Sequence, residues 1–108
     1  MNTTEYHLVD GVSIPADFQI VRVDECLVEA LRPDGLRIFL DRDADEISQL
    51  LNAVRLRGSA EVVIKTVGLI VGIRAALSYS RRYCSELLPM LEDDLHRAMA
   101  NLKTIPLT

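Results

Sequence analysis

The chain has 108 residues, 49% of them hydrophobic and 26% charged, with no Trp, two Phe and three Tyr. These numbers fit one globular domain whose core is built from Leu, Ile, Val and Ala. With only 5 Gly and 4 Pro and no low-complexity stretch, extended disorder is excluded, and a net charge of −4 argues against a general nucleic-acid binder.

The charge is unevenly placed. Residues 1–52 hold 11 acids and 4 bases, for −7, whereas residues 53–108 hold 5 acids and 8 bases, for +3. Within 53–82, Glu61 stands against Arg55, Arg57, Lys65, Arg74, Arg81 and Arg82. The halves should attract each other, within a chain or across a dimer, in a salt-dependent way. The opening segment MNTTEYHLVDG has neither a basic nor an apolar leader region, which leads us to expect a cytoplasmic protein. Cys26 and Cys84 each lie among apolar neighbours and are expected to be reduced, buried thiols. Arg outnumbers Lys ten to two, a bias that accompanies GC-rich bacterial genomes.

In chain order, residues 1–42 read as mainly β. Tyr6 to Val9 forms a short strand ended by Asp10-Gly11, Ser13 to Asp17 reads as a turn, and Phe18 to Val23 is a β-branched second strand. Arg32-Pro33-Asp34-Gly35 is a turn in which Pro presets φ and Gly takes a left-handed position. If 33–35 is a three-residue hairpin loop, Ala30 faces Ile38 and Val28 faces Leu40 on one side. Glu29 then faces Phe39 and Leu31 faces Arg37 on the other. A second reading of 24–32 stays open, a short helix capped by Asp24 with Cys26, Leu27, Ala30 and Leu31 as its stripe.

Residues 43–103 read as mainly α. The spacing of Ile47, Leu50, Leu51 and Val54 predicts a helix over 43–57, with Asp43 as its cap, Glu46 three residues on, and Gly58 ending it. Ser59 then caps a second helix. Its stretch Val62 to Leu77 is apolar almost all the way round, broken only by Lys65, Thr66 and Arg74, although its β-branched residues also suit a strand. A helix hydrophobic on every side is wrapped by its own fold or shared with another chain. From Val67 to Ile73 its uninterrupted apolar run is seven residues, far short of the roughly 20 needed to span a membrane. Pro89 predicts a kink or a fresh helical start, after which Leu91, Leu95, Ala98 and Leu102 continue a 4,3 spacing begun by Leu77, Arg81, Cys84 and Leu88. Two antiparallel helices packed in one domain account for that seam better than a long coiled coil. Residues 104–108 form a tail.

The resulting expectation is a single α+β domain over 1–108: a small N-terminal antiparallel sheet followed by two or three helices packed on one face. Catalytic chemistry finds little footing. His7 and His96 stand alone, and the chain has no phosphate loop, nucleophile elbow or HExxH. The acids of 41–46 lack the Gly and Glu of a calcium loop, and no Cys or His pair has metal-ligand spacing. We therefore expect a non-enzyme with no cofactor, no metal and no membrane association.

What remains is recognition. Gly68, Gly72 and Ala76 form a small-residue stripe that suits close packing inside the domain or with another backbone. Arg74, Tyr79, Arg81, Arg82 and Tyr83 cluster near the end of the long helix, and Arg and Tyr are enriched at interface hot spots. The expected partner-binding set is Gly68, Val71, Gly72, Arg74, Leu77, Tyr79, Arg81, Arg82 and Tyr83. The function expected from these residues is a small bacterial regulator or inhibitor of antiactivator, immunity or chaperone type. It would bind and mask another protein through the apolar helix, as a homodimer or with a heteromeric partner. The alternative is a transcriptional regulator that binds nucleic acid through the basic segment 55–82 as a helix-turn-helix. A small enzyme with a site at a dimer cleft is the third possibility.

Overall fold

A computed structural model describes residues 6–9 and 11–105. The fold is α+β, and the chain is organised as two compact units, one reaching to Arg57 and the other starting at Gly58.

The first unit holds five strands and a helix. Strands β1 (Tyr6–Val9) and β2 (Val12–Pro15) form an antiparallel hairpin. Strands β3 (Gln19–Val23), β4 (Leu27–Leu31) and β5 (Arg37–Asp41) form a three-stranded antiparallel meander. The β4–β5 register is the one expected of a three-residue loop: Val28 opposite Leu40, Ala30 opposite Ile38, Glu29 opposite Phe39 and Leu31 opposite Arg37. Gly35 has φ +87°, and Arg32 closes the turn by donating its N–H to the Leu36 carbonyl at 2.9 Å. The helical reading of 24–32 is thereby excluded.

One turn is displaced. Ser13 to Pro15 belongs to β2, and the reversal follows it, where the Phe18 N–H meets the Pro15 carbonyl at 3.0 Å. The reason is side-chain alternation: Val12 and Ile14 both point into the core, joining Phe18, Val28, Ala30, Ile38 and Leu40 in one apolar cluster. Asp10, expected to help end β1, lies outside the described residues.

Helix α1 (Glu46–Arg57) packs against β5. It starts two residues later than the cap at Asp43 would place it. Asp45 does the capping, its Oδ1 accepting the Ser48 N–H at 2.8 Å. Leu51 and Val54 of the expected stripe are buried, Ile47 and Leu50 half-buried, and Ser48 and Arg55 join the buried face. Asn52 pairs with both main-chain groups of Asp41, receiving its N–H and donating to its carbonyl, each at 3.0 Å. Arg55 reaches the Asp41 carboxylate at 3.2 Å.

The second unit is helical. Ser59 caps α2 (Ala60–Val62), its hydroxyl accepting the Val62 N–H at 3.3 Å. The chain then runs through a π-helical segment, Val63–Val67, into α3 (Gly68–Tyr83). The π turn falls on VIKTV, where β-branched residues crowd the turn before them and a wider coil gives them room. A 3-10 turn (Ser85–Leu87) leads to α4 (Leu88–Lys103), which starts afresh with Pro89 in its first turn and folds back along α3. Ile70, Leu77 and Ser80 of α3 and Ala98 and Leu102 of α4 are buried. Ser80 takes the seam position expected of Arg81, which is exposed. Residues 106–108 of the expected tail lie outside the described residues, while Thr104 and Ile105 close α4 by donating to the Asn101 and Leu102 carbonyls.

The cysteines depart from expectation. Both are free, Cys26 is exposed and Cys84 half-buried. Cys26 sits in a turn organised by Asp24, whose Oδ1 accepts the N–H groups of Cys26 and Leu27 at 3.0 and 2.8 Å. That arrangement fixes the backbone and turns the thiol outward.

Candidate interaction surface

The long helix from Ala60 to Tyr83 separates into two stripes. Val63, Val67, Ile70 and Leu77 are buried, with Arg74 half-buried among them, at alternating spacings of four and three. A second series, Glu61, Ile64, Gly68, Val71, Ala75, Ser78 and Arg82, alternates three and four and is exposed at every position. An alternation of three and four is the repeat by which one helix presents a continuous line to another. Past the π-helical segment, from Gly68 to Tyr83, the helix therefore carries two such lines, and only the first is buried.

The outward line is apolar where it matters. Ile64 is 65% exposed, Val71 45% and, beside the line, Tyr79 64%. Leu69 and Tyr83 are also open, and the Tyr79 and Tyr83 rings lie 4.9 Å apart at 45°. Scattered exposed apolar residues need no explanation, but a contiguous set on one rod does. Around Gly68 and Gly72 an added Cβ would meet nothing within 4 Å, so neither glycine is needed for packing inside the chain.

Most of the expected partner-binding residues reach this surface. Gly68, Val71, Gly72, Tyr79, Arg81, Arg82 and Tyr83 are exposed and Arg74 is half-buried. Leu77 is the exception: at 4% exposure it belongs to the buried stripe, and it leaves the set. Ala76 is half-buried, so the outward small-residue line runs through Ala75 instead. Ile64, Leu69 and Ala75 are surface residues that the sequence reading missed. Hydrophobicity alone does not find Ile64 and Leu69, because they are as apolar as the buried Ile70 and Leu77 of the same helix.

The basic segment 55–82 is partly committed. Arg55 is buried and bound to Asp41, and Lys65 is paired with Glu61 at 2.8 Å.

An open groove of about 520 Å³ in the first unit is lined by Val12, Asp41, Arg42, Gln49, Asn52 and Arg57 among others. Its best-placed polar groups, Asn52 and Asp41, already hold α1 to β5. On the outer side of the sheet, Phe39 is partly open opposite Glu29, which binds Arg37 at 3.3 Å and Arg22 at 3.7 Å.

Asp24 has its carboxyl held below the usual carboxylate range, first by the backbone N–H of Leu27 and then by that of Cys26. It serves the turn. His7 is exposed and shares a 3.2 Å hydrogen bond with the Ala16 carbonyl, and His96 is exposed on α4, where Arg97 gathers Asp93 and Asp94. Among the described residues no group of three or more metal-binding side chains converges, and no helix is long and apolar enough to cross a membrane. No protein-family model, curated protein or solved structure matches the chain.

Proposed function

We propose that this chain is a non-catalytic protein-interaction module, a small bacterial cytoplasmic regulator or inhibitor of antiactivator, immunity or chaperone type. It binds and masks a partner protein through the long helix, and it also pairs with itself. The observation that carries this reading is the second line of exposed apolar and small residues, from Gly68 through Val71 to Ala75, on a helix whose first line is already buried. Burial of such side chains gives about 25 cal/mol per Å², the main favourable term in most protein association. Tyr79, Tyr83, Arg81 and Arg82 extend the surface at one end, with the aromatic and guanidinium groups that anchor interfaces.

The test is capture from native lysate with tagged wild-type chain and tagged Val71→Asp, each with and without nuclease, read by mass spectrometry. A stoichiometric protein that survives nuclease and is lost with Val71→Asp supports the reading. Recovery of nucleic acid alone favours a nucleic-acid regulator. A partner retained equally by Val71→Asp contradicts the assignment of this face.

A further inference from the structure

We propose that the outward face of α3 docks an acidic amphipathic helix of the partner protein. The apolar stripe of that helix lies on Val71, Ala75 and Tyr79, and its carboxylates meet Arg81 and Arg82. The inference rests on the interaction-module reading and gives the docking segment of the partner a shape and a charge.

The shape is that of a shallow trough. Every residue of the face belongs to the continuous α-helix Gly68–Tyr83, past the π-helical segment. Gly68, Val71, Ala75, Ser78 and Arg82 are all exposed and alternate three and four, the repeat that lies along a second helix. At about 100° per residue, Val71 and Arg82 fall to one side of a line through Gly68, Ala75 and Tyr79, and Leu69, Gly72 and Tyr83 fall to the other. The middle is low, because Gly68, Gly72 and Ala75 carry little or no side chain. Towards the end of the helix the exposed Tyr79 and Tyr83 rings, 4.9 Å apart, stand above it. A second helix fits this profile, with small and aliphatic side chains in the trough and a rim beside the tyrosines.

Charge selects the occupant. Residues 68–83 hold Arg74, Arg81 and Arg82 and no Asp or Glu. Arg74 is half-buried and already engaged within the chain. Arg81 and Arg82 are exposed and hold no carboxylate among the described residues, whereas Arg22, Arg32, Arg37, Arg55 and Arg97 each do. Their place in the last turn suits the helix dipole, which leaves both guanidinium groups open to a second molecule. A guanidinium at an interface is matched best by a carboxylate, which accepts two parallel hydrogen bonds. A second copy of this chain is a poorer occupant, since its own α3 carries the same sign and no acid. Nucleic acid is poorer too, because Leu69, Val71 and Ala75 offer nothing to a phosphate backbone and the whole chain carries −4.

The experiment selects binders from a displayed library of helical peptides with a fixed apolar stripe and flanking positions randomised among Glu, Gln and Lys. The baits are the full wild-type chain, Val71→Asp, and a double variant with Arg81→Gln and Arg82→Gln. All three positions are exposed, and circular dichroism verifies folding. Recovered peptides and a labelled DNA duplex are then titrated by fluorescence anisotropy, at low and high salt. The expected result is peptides enriched several-fold in Glu over Lys that are lost with Val71→Asp. Their affinity should fall about tenfold with the double arginine variant, and it should fall again as salt rises. Neutral or basic binders, or acidic ones indifferent to the arginine variant, overturn the acidic partner while leaving the module reading intact. Recovery of no peptide that depends on Val71 overturns helix docking, and the lysate capture then judges the module reading by itself. DNA bound more tightly than any peptide, and released by the arginine variant, assigns the arginines to phosphate and overturns the inference.

Discussion

Val71 and Leu77 lie six residues apart on one apolar helix, yet Val71 is 45% exposed and Leu77 is 4% exposed. The two residues are chemically alike, so the fold alone distinguishes them. An aspartate at each should therefore have opposite consequences. Leu77→Asp buries a charge where α3 packs on α4 and should cost more than about 3 kcal/mol, enough to disrupt the helical hairpin. Val71→Asp should change stability by about 0.5 kcal/mol or less and act on association instead. Denaturant melts of the two variants, followed by helical circular dichroism, check the pair.

The helical glycines give a second contrast. Gly68→Ala and Gly72→Ala each replace a poor helix former where the new Cβ meets nothing, so each should stabilise the helix by about 0.5–1 kcal/mol. At Gly35, with φ +87°, alanine should destabilise by about 1 kcal/mol because an L-residue is strained there. Thermal melts of the three variants test the signs. If a partner helix packs on this face at close range, the stabilised Gly72→Ala chain should also bind it less well.

Asn52 holds α1 to β5 by satisfying both main-chain groups of Asp41. Asn52→Ala leaves those groups without their side-chain partner in a half-buried setting, and should cost about 1–3 kcal/mol. The loss should appear as a lower urea midpoint with an unchanged slope.

Asp24 supplies a pH test. Its folded carboxyl is shifted below the ordinary value of 3.8, chiefly by the Leu27 and Cys26 N–H groups. A lowered folded pKa contributes stability that is present above the unfolded value and lost as pH falls through the folded one. Asp24→Ala should therefore be less stable than wild type at neutral pH, and the difference should shrink as pH drops below 3.8. Parallel urea melts between neutral and strongly acidic pH measure it. A difference that stays constant across that range would remove the ionised carboxylate from the turn.

Local chemistry made much of this fold legible. Pro33, Asp34 and Gly35 determine a three-residue loop, and that loop determines every pair of the β4–β5 ladder. Leu51 and Val54 followed from helical periodicity, and Gly58 and Ser59 from capping. The misplacements have physical causes. Asp43 and Asp45 are both competent caps, and only packing on β5 selects the second. Ser13 and Pro15 carry turn chemistry, but the inward alternation of Val12 and Ile14 outweighs it. Cys26 looks buried from its neighbours, yet it occupies a turn. The interaction surface was the least legible part. Ile64 and Ile70 are the same residue type in the same helix, one open and one fully enclosed, and only the tertiary arrangement separates them.

The central claim, that the outward line of the long helix is covered by another protein surface, is tested most directly by oxidative footprinting. The full chain would be labelled in its native lysate and labelled again as dilute, purified Val71→Asp. The account predicts that Tyr79 and Tyr83 are protected in the lysate relative to that reference, while the exposed Tyr6 of the first unit labels equally in both. Equal labelling of Tyr79 and Tyr83 under the two conditions would contradict it.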